Sequence, residues 1–392
     1  MVRVALLAID ARQAYREYHK PQPYFGTAPE ALLQGFALVP DLEVHVVSCT
    51  QRPMDAPPKL ADNIWFYSLF VPKLGWLQTG YQGCIRAVRR KLRTIQPAIV
   101  HGQGTERDCA MCAVWSGFPN VLTIHGNMRN MADTFKPRFG SFGWCAALLE
   151  DYALKRTGGV FCNSRFTDEM IRPRTTKTWL VPNALRESFF TRPRSAPREQ
   201  PPILLNVGVI APNKRQLELL EIAGRLHAAG RQCQFWFAGQ ADPADPYAAE
   251  FLARIQVAHR QGYARYAGYL TGEQLLDCFD RACALVHFSK VETFGLVVAE
   301  ALTRGLKLFA ARCGGIVDIA EGVQDAELFE ANDFAGLEQR IAQWLEQAVR
   351  PPANGAELMR QRYHPVAVAR RHLEIYREII DYRSSSATRS KQ

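Results

Sequence analysis

The segment Glu292-Thr-Phe-Gly-Leu-Val-Val-Ala-Glu300 carries two carboxylates separated by seven residues. It follows a short apolar run, Ala284–His287, and opens a helical one. Glu292 therefore belongs in a strand-to-helix loop and Glu300 two turns into the helix. A loop carboxylate can accept the hydroxyls of a sugar, and a helix carboxylate can hold a ribose diol. Between them, Thr293, Phe294, Gly295 and Leu296 form the helix N-terminus, where free N–H groups and the helix dipole favour a phosphate. Gly295 has no side chain to block that approach. Two glutamates on an ordinary surface helix are the plain alternative. The preceding strand and the Phe-Gly pair favour the ligand site.

A second constellation is Asn206-Val-Gly208-Val-Ile-Ala-Pro-Asn-Lys214-Arg215. Gly208 closes a strand, and a basic pair opens the next helix. Cations there oppose the positive end of the helix dipole. A diphosphate would resolve the conflict, with Lys214 or Arg215 as a fixed charge. Thr123-Ile-His125-Gly126 ends another strand, and a histidine there can donate to a sugar hydroxyl or phosphate. His101, in Ile99-Val-His-Gly, is a similar acceptor-side candidate. A packed core histidine is the competing reading for both. Gly314-Gly315 follows the run Leu306–Ala310 and would let backbone amides close on a phosphate or hexose. A plain turn is the alternative. Gly239 and Tyr269–Leu270 end further strands and are placed near a nucleobase.

The elements that must position these residues alternate strand, loop and helix twice over. Arg3–Ile9, Glu43–Cys49 and Ile64–Phe70 read as strands, as do the short runs from Ile99, Val121, Gly159 and Thr178. Thr27 to Phe36 reads as a helix, with Thr27 at the cap and Glu30 completing a capping box. Gln78–Ile95 reads as a basic amphipathic helix. Residues 191–202 hold four prolines and read as a linker. The pattern then restarts at Ile203–Val207. The expected fold is α/β, two Rossmann-like domains facing each other across a cleft, since open α/β sheets bind ligands at the carboxyl ends of their strands. The expected division is an acceptor-binding domain over 1–190, the linker, and a nucleotide-sugar-binding domain over 203–364. A helix over 365–384 should pack back on the first domain, followed by a disordered tail over 385–392.

The chain has 392 residues, 47% of them hydrophobic, enough for two cores. No apolar run reaches membrane-spanning length, and MVRVALLAID reads as a first strand rather than a leader. Ten cysteines lack framework spacing, and the one close pair, Cys109 and Cys112, reads as buried free thiols on a helix in a reducing cytoplasm. Residues 1–190 hold 23 Lys and Arg against 15 Asp and Glu, while the remainder holds 25 against 23. The first half thus carries the positive excess. Arg86-Ala-Val-Arg-Arg-Lys-Leu-Arg93, beside Trp76 and Leu77, forms a basic stripe suited to an anionic membrane face. A solvated helix face is the plain alternative. The expected location is cytoplasmic, peripheral on the inner membrane face; a nucleic-acid partner is not expected.

As a set, these motifs resemble the retaining glycosyltransferase family 4 of GT-B fold, the glycosyl transferases group 1. The resemblance rests on the paired glutamates with Glu300-Ala-Leu and Gly305, the strand–Gly208–Lys214 unit, Val181-Pro-Asn183 and the His125-Gly126 loop. It implies transfer of a hexose from a nucleoside diphosphate sugar to an acceptor hydroxyl, in glycan, polysaccharide or glycolipid synthesis. It also implies retained configuration, with neither metal nor resident cofactor. Glu292 would meet the donor hexose, Glu300 the ribose, Lys214 the diphosphate, and His125 the hexose from the opposite domain. Glu292 and His125 are the expected catalytic residues. No Asp-x-Asp motif is present; Asp242 and Asp245 sit in a proline-bearing loop. Two departures stand out. Val209 occupies the place of an arginine, for which Arg215 is the expected substitute. Gly26-Thr27 stands where the family has two glycines, with acceptor contacts expected there and at Tyr15. A sugar-nucleotide epimerase is the competing enzyme reading, distinguished by epimerised donor formed without acceptor. A non-catalytic basic binder of membrane or nucleic acid is the other.

Overall fold

The structure, a computed structural model, describes residues 1–194, 198–347 and 354–389. The chain forms two compact units. The first is Met1–Arg186 with Tyr363–Gln392, and the second is Glu187–Arg362.

The first unit is built on eight strands: β1 (Val2–Leu7), β2 (Leu42–Thr50), β3 (Lys59–Ala61), β4 (Ile64–Phe70), β5 (Ile99–Gln103), β6 (Asn120–Ile124), β7 (Val160–Cys162) and β8 (Thr178–Leu180). Their order is β3-β4-β2-β1-β5-β6-β7-β8. All pair in parallel except β3, a short antiparallel edge against β4 that no sequence signal announced. Continuous Val, Leu and Ile runs suit strands covered on both faces by crossover helices. Val4 to Leu7 are at most 1% exposed. From β1 the chain moves outward to β2, then returns to β5 on the other side of β1. The order therefore reverses between β1 and β5, the point where loops diverge and a ligand can enter.

The C-terminal helix Pro365–Arg389 completes this unit. Val368, Ala369, Leu373 and Tyr376 join Leu32 and Phe36 in one apolar cluster. Each large apolar side chain buried this way contributes about 1.5–3 kcal/mol. Gly35 permits the contact, since a Cβ there would stand 2.1 Å from the Pro365 carbonyl oxygen. The helix continues through 385–389, so most of the expected disordered tail is helical; residues 390–392 lie outside the described residues.

Two other expectations change. The helix Thr27–Ala37 takes Gly26 as its cap, at φ 87°, and has no side-chain cap bond. Thr27 is thus the first helical residue rather than the cap, and the capping box does not form. The basic helix begins at Gln82, not Gln78, because Gly75, Gly80 and Tyr81 take left-handed φ values of 57°, 58° and 63° that break the first turn. Its apolar residues Ile85, Val88, Leu92 and Ile95 are buried at three- and four-residue spacing. Arg86, Arg89, Arg90 and Arg93 are exposed on the other side.

The second unit has six strands: β9 (Ile203–Val207), β10 (Gln234–Ala238), β11 (Ala264–Gly268), β12 (Ala284–His287), β13 (Lys307–Ala311) and β14 (Ala326–Phe329). They pair in parallel in the order β11-β10-β9-β12-β13-β14. Here the reversal falls between β9 and β12. Phe235, Phe237, Phe251 and Phe309 are wholly enclosed in its core. The described part of 191–202 belongs to this unit instead of hanging free. Arg194 and Arg198 donate to the carbonyls of Arg304 and Gly305, and Glu199 pairs with Arg281. Proline content excludes regular structure, but these arginines anchor the segment. Residues 195–197 lie outside the described residues. Among the described residues no helix is long and apolar enough to cross a membrane.

Candidate functional site

In the second unit the loops leaving β9 and β12 diverge on either side of the reversal point. Lys214 comes from the first and Glu292 from the second. Lys214 Nζ lies 2.5 Å from Glu292 Oε2. The lysine stem runs over Gly208, whose imagined Cβ would sit 3.5 Å from Lys214 Cδ. His287, the last residue of β12, places Nε2 3.1 Å from Glu292 Oε2 and 3.0 Å from Ser289 Oγ. Burial favours the neutral imidazole. With its proton on Nε2, His287 donates to the carboxylate. Burial alone would raise the Glu292 carboxyl, but the His287 hydrogen bond and the Lys214 charge outweigh it and hold it down at about 2. The result is a fixed anion with a cation beside it. His287 and Ser289 were not singled out in the sequence. The available signal was a strand-ending histidine five residues before a loop carboxylate.

The helix Leu296–Thr303 takes Gly295 as its cap, at φ 98°. That left-handed conformation suits glycine. The helix follows directly on the loop carrying Glu292 and Thr293. Glu300 lies in the second turn and is 4% exposed; Phe294 is also buried. Gly314 and Gly315 play a different part from the one expected. A Cβ on Gly314 would stand 1.7 Å from the Glu292 carbonyl oxygen, and the Gly315 amide donates to that same oxygen at 3.0 Å. The pair shapes the Glu292 loop, and the Gly315 amide is already engaged. Gly239 is a close-approach glycine too, since its Cβ would meet the Gly208 carbonyl oxygen at 1.9 Å. Tyr269, 72% exposed, and the half-buried Leu270 stand beyond β11.

Arg215 departs from expectation. It caps the helix Gln216–Ala228 at φ 56° and is 7% exposed. Its guanidinium donates to the Ala331 carbonyl and, at 3.0 Å, to Asn332 Oδ1. These bonds hold it to the turn after β14, so it is not placed as the substitute for an arginine at Val209. Val209 itself is 58% exposed. Arg215→Ala is expected to lower stability by about 1–3 kcal/mol through the orphaned acceptors, with donor affinity unchanged in a titration. A tenfold loss of donor affinity at unchanged melting temperature would restore the phosphate role. Asp245 caps the helix Pro246–Arg260 and Asp242 accepts from the Ala244 amide, so both loop aspartates serve local structure.

In the first unit His125 is half-buried just beyond β6, with Nε2 2.9 Å from Gln103 Oε1. Burial shifts it toward the neutral form, partly opposed by the Glu106 charge. Neighbouring carboxylates clip its loop in place. Glu106 accepts from the Gly126 amide at 2.8 Å. The fully buried Glu150 accepts from the Met128 amide at 3.0 Å, from Thr105 Oγ1 at 2.6 Å and from Arg174 at 2.6 Å. His101 is not an acceptor contact. It is 0% exposed, bonded to the Tyr376 hydroxyl at 2.5 Å and Thr123 Oγ1 at 2.7 Å, and ringed by Phe161 and His372. The packed-core alternative holds there because the C-terminal helix covers it. Tyr15 is 63% exposed, and Gly26 has open space where a Cβ would stand.

All ten cysteines are free, and Cys109 and Cys112 are buried. Cys49, Cys84 and Asp108 bring sulfur and carboxylate atoms within 4.8 Å of one another, the one such metal-capable group among the described residues. Burial contributes to raising Asp108 to about 6 and Cys112 to about 12.

Comparison with known proteins bears on the whole arrangement. Residues 187–361 match the family Glycosyl transferases group 1, and residues 37–188 match Glycosyltransferase Family 4. The chain is 28% identical over 172 residues to a sucrose synthase of Acidithiobacillus caldus, covering 41% of this chain and 22% of that protein. It is 28% identical over 181 residues to the alpha-D-kanosaminyltransferase of Streptomyces kanamyceticus, covering 45% and 46%. It is 23% identical over 311 residues to the GPI3 subunit of the phosphatidylinositol N-acetylglucosaminyltransferase of Saccharomyces cerevisiae, covering 74% and 66%. The chain thus spans less than two thirds of the length of each of these relatives. Among solved structures, sucrose-phosphate synthase of Thermosynechococcus elongatus superposes with a TM-score of 0.72 at 19% identity, covering 97% of this chain and 100% of that one. HepE of Anabaena, solved with UDP and glucose, gives 0.67 at 14%, covering 96% and 100%. These structures share the GT-B fold, so the expected fold class holds. With both units matched in sequence and the glutamate loop placed at the reversal of the second sheet, the chain belongs to glycosyltransferase family 4, the glycosyl transferases group 1.

Proposed function

We propose that this protein transfers a hexose-type sugar from a nucleoside diphosphate donor to an acceptor hydroxyl, with retained configuration and no metal requirement, in the synthesis of a glycan, polysaccharide or glycolipid. The observation that carries the reading is the Lys214–Glu292–His287 arrangement at the reversal between β9 and β12. Lys214 supplies the cation a departing diphosphate needs, and the first amides of the helix Leu296–Thr303 supply dipoles aimed at the same charge. Glu292, ionised and held from two sides, accepts hexose hydroxyls. Glu300 serves the ribose, and Tyr269 and Leu270 the base. In the first unit, His125 is the candidate partner of a sugar hydroxyl. With the diphosphate oxygen taking the acceptor proton, no side-chain nucleophile is required. The absence of an Asp-x-Asp motif supports metal independence.

A thermal-shift screen across UDP-, GDP- and ADP-sugars tests this, because a ligand that binds only the folded state stabilises it in proportion to occupancy. HepE was solved with UDP, so the uridine series comes first. One donor series is expected to raise the melting temperature; silence across all three would sink the reading. The exposed stripe Arg86, Arg89, Arg90 and Arg93 supports a cytoplasmic protein docked on an anionic membrane face. Co-sedimentation with anionic vesicles should fall as salt rises; indifference to anionic lipid would remove this part.

A further inference from the structure

The first unit holds a pocket of about 1300 Å³ that the donor chemistry does not use. Its position is set by the sheet. Arg16 follows β1, Arg52 follows β2, Lys73 follows β4 and Arg107 follows β5. These four strands are neighbours, and the pocket lies beyond their carboxyl ends, over the β1–β5 reversal point. Four cations from four separate loops therefore converge on one concavity, and no acidic side chain lines it. Elsewhere in the unit, arginines on helical segments carry counter-charges. Arg129 and Arg174 both pair with Asp151, and Arg172 pairs with Asp168. None of the four pocket cations makes an ion pair among the described residues. Gathering like charges without a counter-charge is unfavourable unless an anion arrives.

The remaining lining mixes aromatic and apolar residues with the neutral amides Gln13, Gln51 and Gln78. Tyr18, Trp76, Tyr81 and Phe142 line the space, and the planar guanidinium fork of Arg52 lies 5.0 Å from the Tyr18 ring centroid. Such a fork suits a phosphate better than a single carboxylate or a neutral sugar. Leu74 and Phe139, next in sequence to the lining residues Lys73 and Gly140, are 79% and 81% exposed. Buried polar needs of the fold explain neither the cations nor these two side chains.

We propose that this pocket seats an acceptor bearing a phosphate group, with Arg16, Arg52, Lys73 and Arg107 as the anion-binding set. The proposal rests on the glycosyltransferase reading for the word acceptor, while the anion site itself does not. The phosphate can belong to a soluble sugar or polyol phosphate or to a lipid head group, and the apolar residues beside the pocket serve the second case.

Calorimetric titration of glycerol 3-phosphate into the full chain tests it, with glycerol as the uncharged control. One-to-one binding is expected for the wild type and for Lys214→Gln, which alters only the second unit. The double variant Arg52→Gln with Arg107→Gln should bind at least about tenfold more weakly. Arg52→Gln alone, at an exposed side chain, should show a smaller loss in the same direction and guards against misfolding of the double variant. A second arm uses neutral detergent micelles with and without phosphatidylglycerol. Loss of both ligands in the variant assigns a lipid phosphate, and loss of the soluble monoester alone assigns a soluble acceptor. Equal affinity of wild type and double variant for the monoester overturns the proposal. The donor thermal shift is measured on the same proteins. If no donor shifts any of them while phosphate binding still depends on the arginines, the transferase reading fails and the anion site stands.

Discussion

Glu292→Gln is expected to lower turnover by about a hundredfold or more while leaving the fold intact. Glutamine keeps the shape of the side chain and can still meet His287 and Lys214. It removes the charge, and with it the fixed field on which the site is built. The wild-type carboxyl sits at about 2, so above roughly pH 4 it is fully ionised. The loss in the variant should therefore be the same across the neutral range, and any acid limb of the wild-type profile must come from another group. The donor interactions through Lys214 and the helix N-terminus remain, so KM for the donor should change far less than kcat. Initial rates at saturating donor and acceptor decide the matter. A kcat within a few-fold of wild type removes Glu292 from the chemistry. A kcat unchanged with a raised KM makes it a binding residue only.

Arg12→Met is expected to destabilise the first unit by about 3–5 kcal/mol, because it leaves Asp10 as an uncompensated buried charge. Both side chains are 0% exposed, and the guanidinium meets the carboxylate at 2.6 Å. Arg12 also donates to the carbonyls of Lys20, at 2.5 Å, and Asp55, at 2.9 Å. It thereby ties the loop after β1 to the loop after β2, the two loops that carry Arg16 and Arg52. A fall in melting temperature of about 10 °C is expected for a unit of this size. The double variant Asp10→Asn with Arg12→Met should recover much of the loss, since the orphaned charge is then gone. A loss below about 1 kcal/mol in the single variant would show that Asp10 finds another partner or is not enclosed. Glycerol 3-phosphate affinity should weaken in the same single variant, measured below its melting temperature.

The amino-acid sequence by itself determined the elements and the identity of the central loop. Parallel strands buried on both faces need continuous apolar runs, and helices need apolar residues every three or four positions, so Ile203–Val207 and Ala284–His287 were readable to the residue. The spacing of Glu292 and Glu300 about a strand end likewise placed one acid in a loop and the other on a helix. Those are properties of neighbours along the chain. What only the tertiary structure decided depends on neighbours across it. His287 was a strand residue until the chain bent Glu292 back over it. Arg215 looked free to bind phosphate until the turn at Ala331 and Asn332 took its hydrogen bonds. His101 was read beside His125 as a contact for the acceptor, yet Tyr376, 275 residues later, bonds to it and encloses it in the core. The cations Arg16, Arg52, Lys73 and Arg107 are spread over ninety positions and meet because β1, β2, β4 and β5 lie side by side. Strand order is fixed by crossover packing between distant segments, and no local pattern encodes which loops will share an edge.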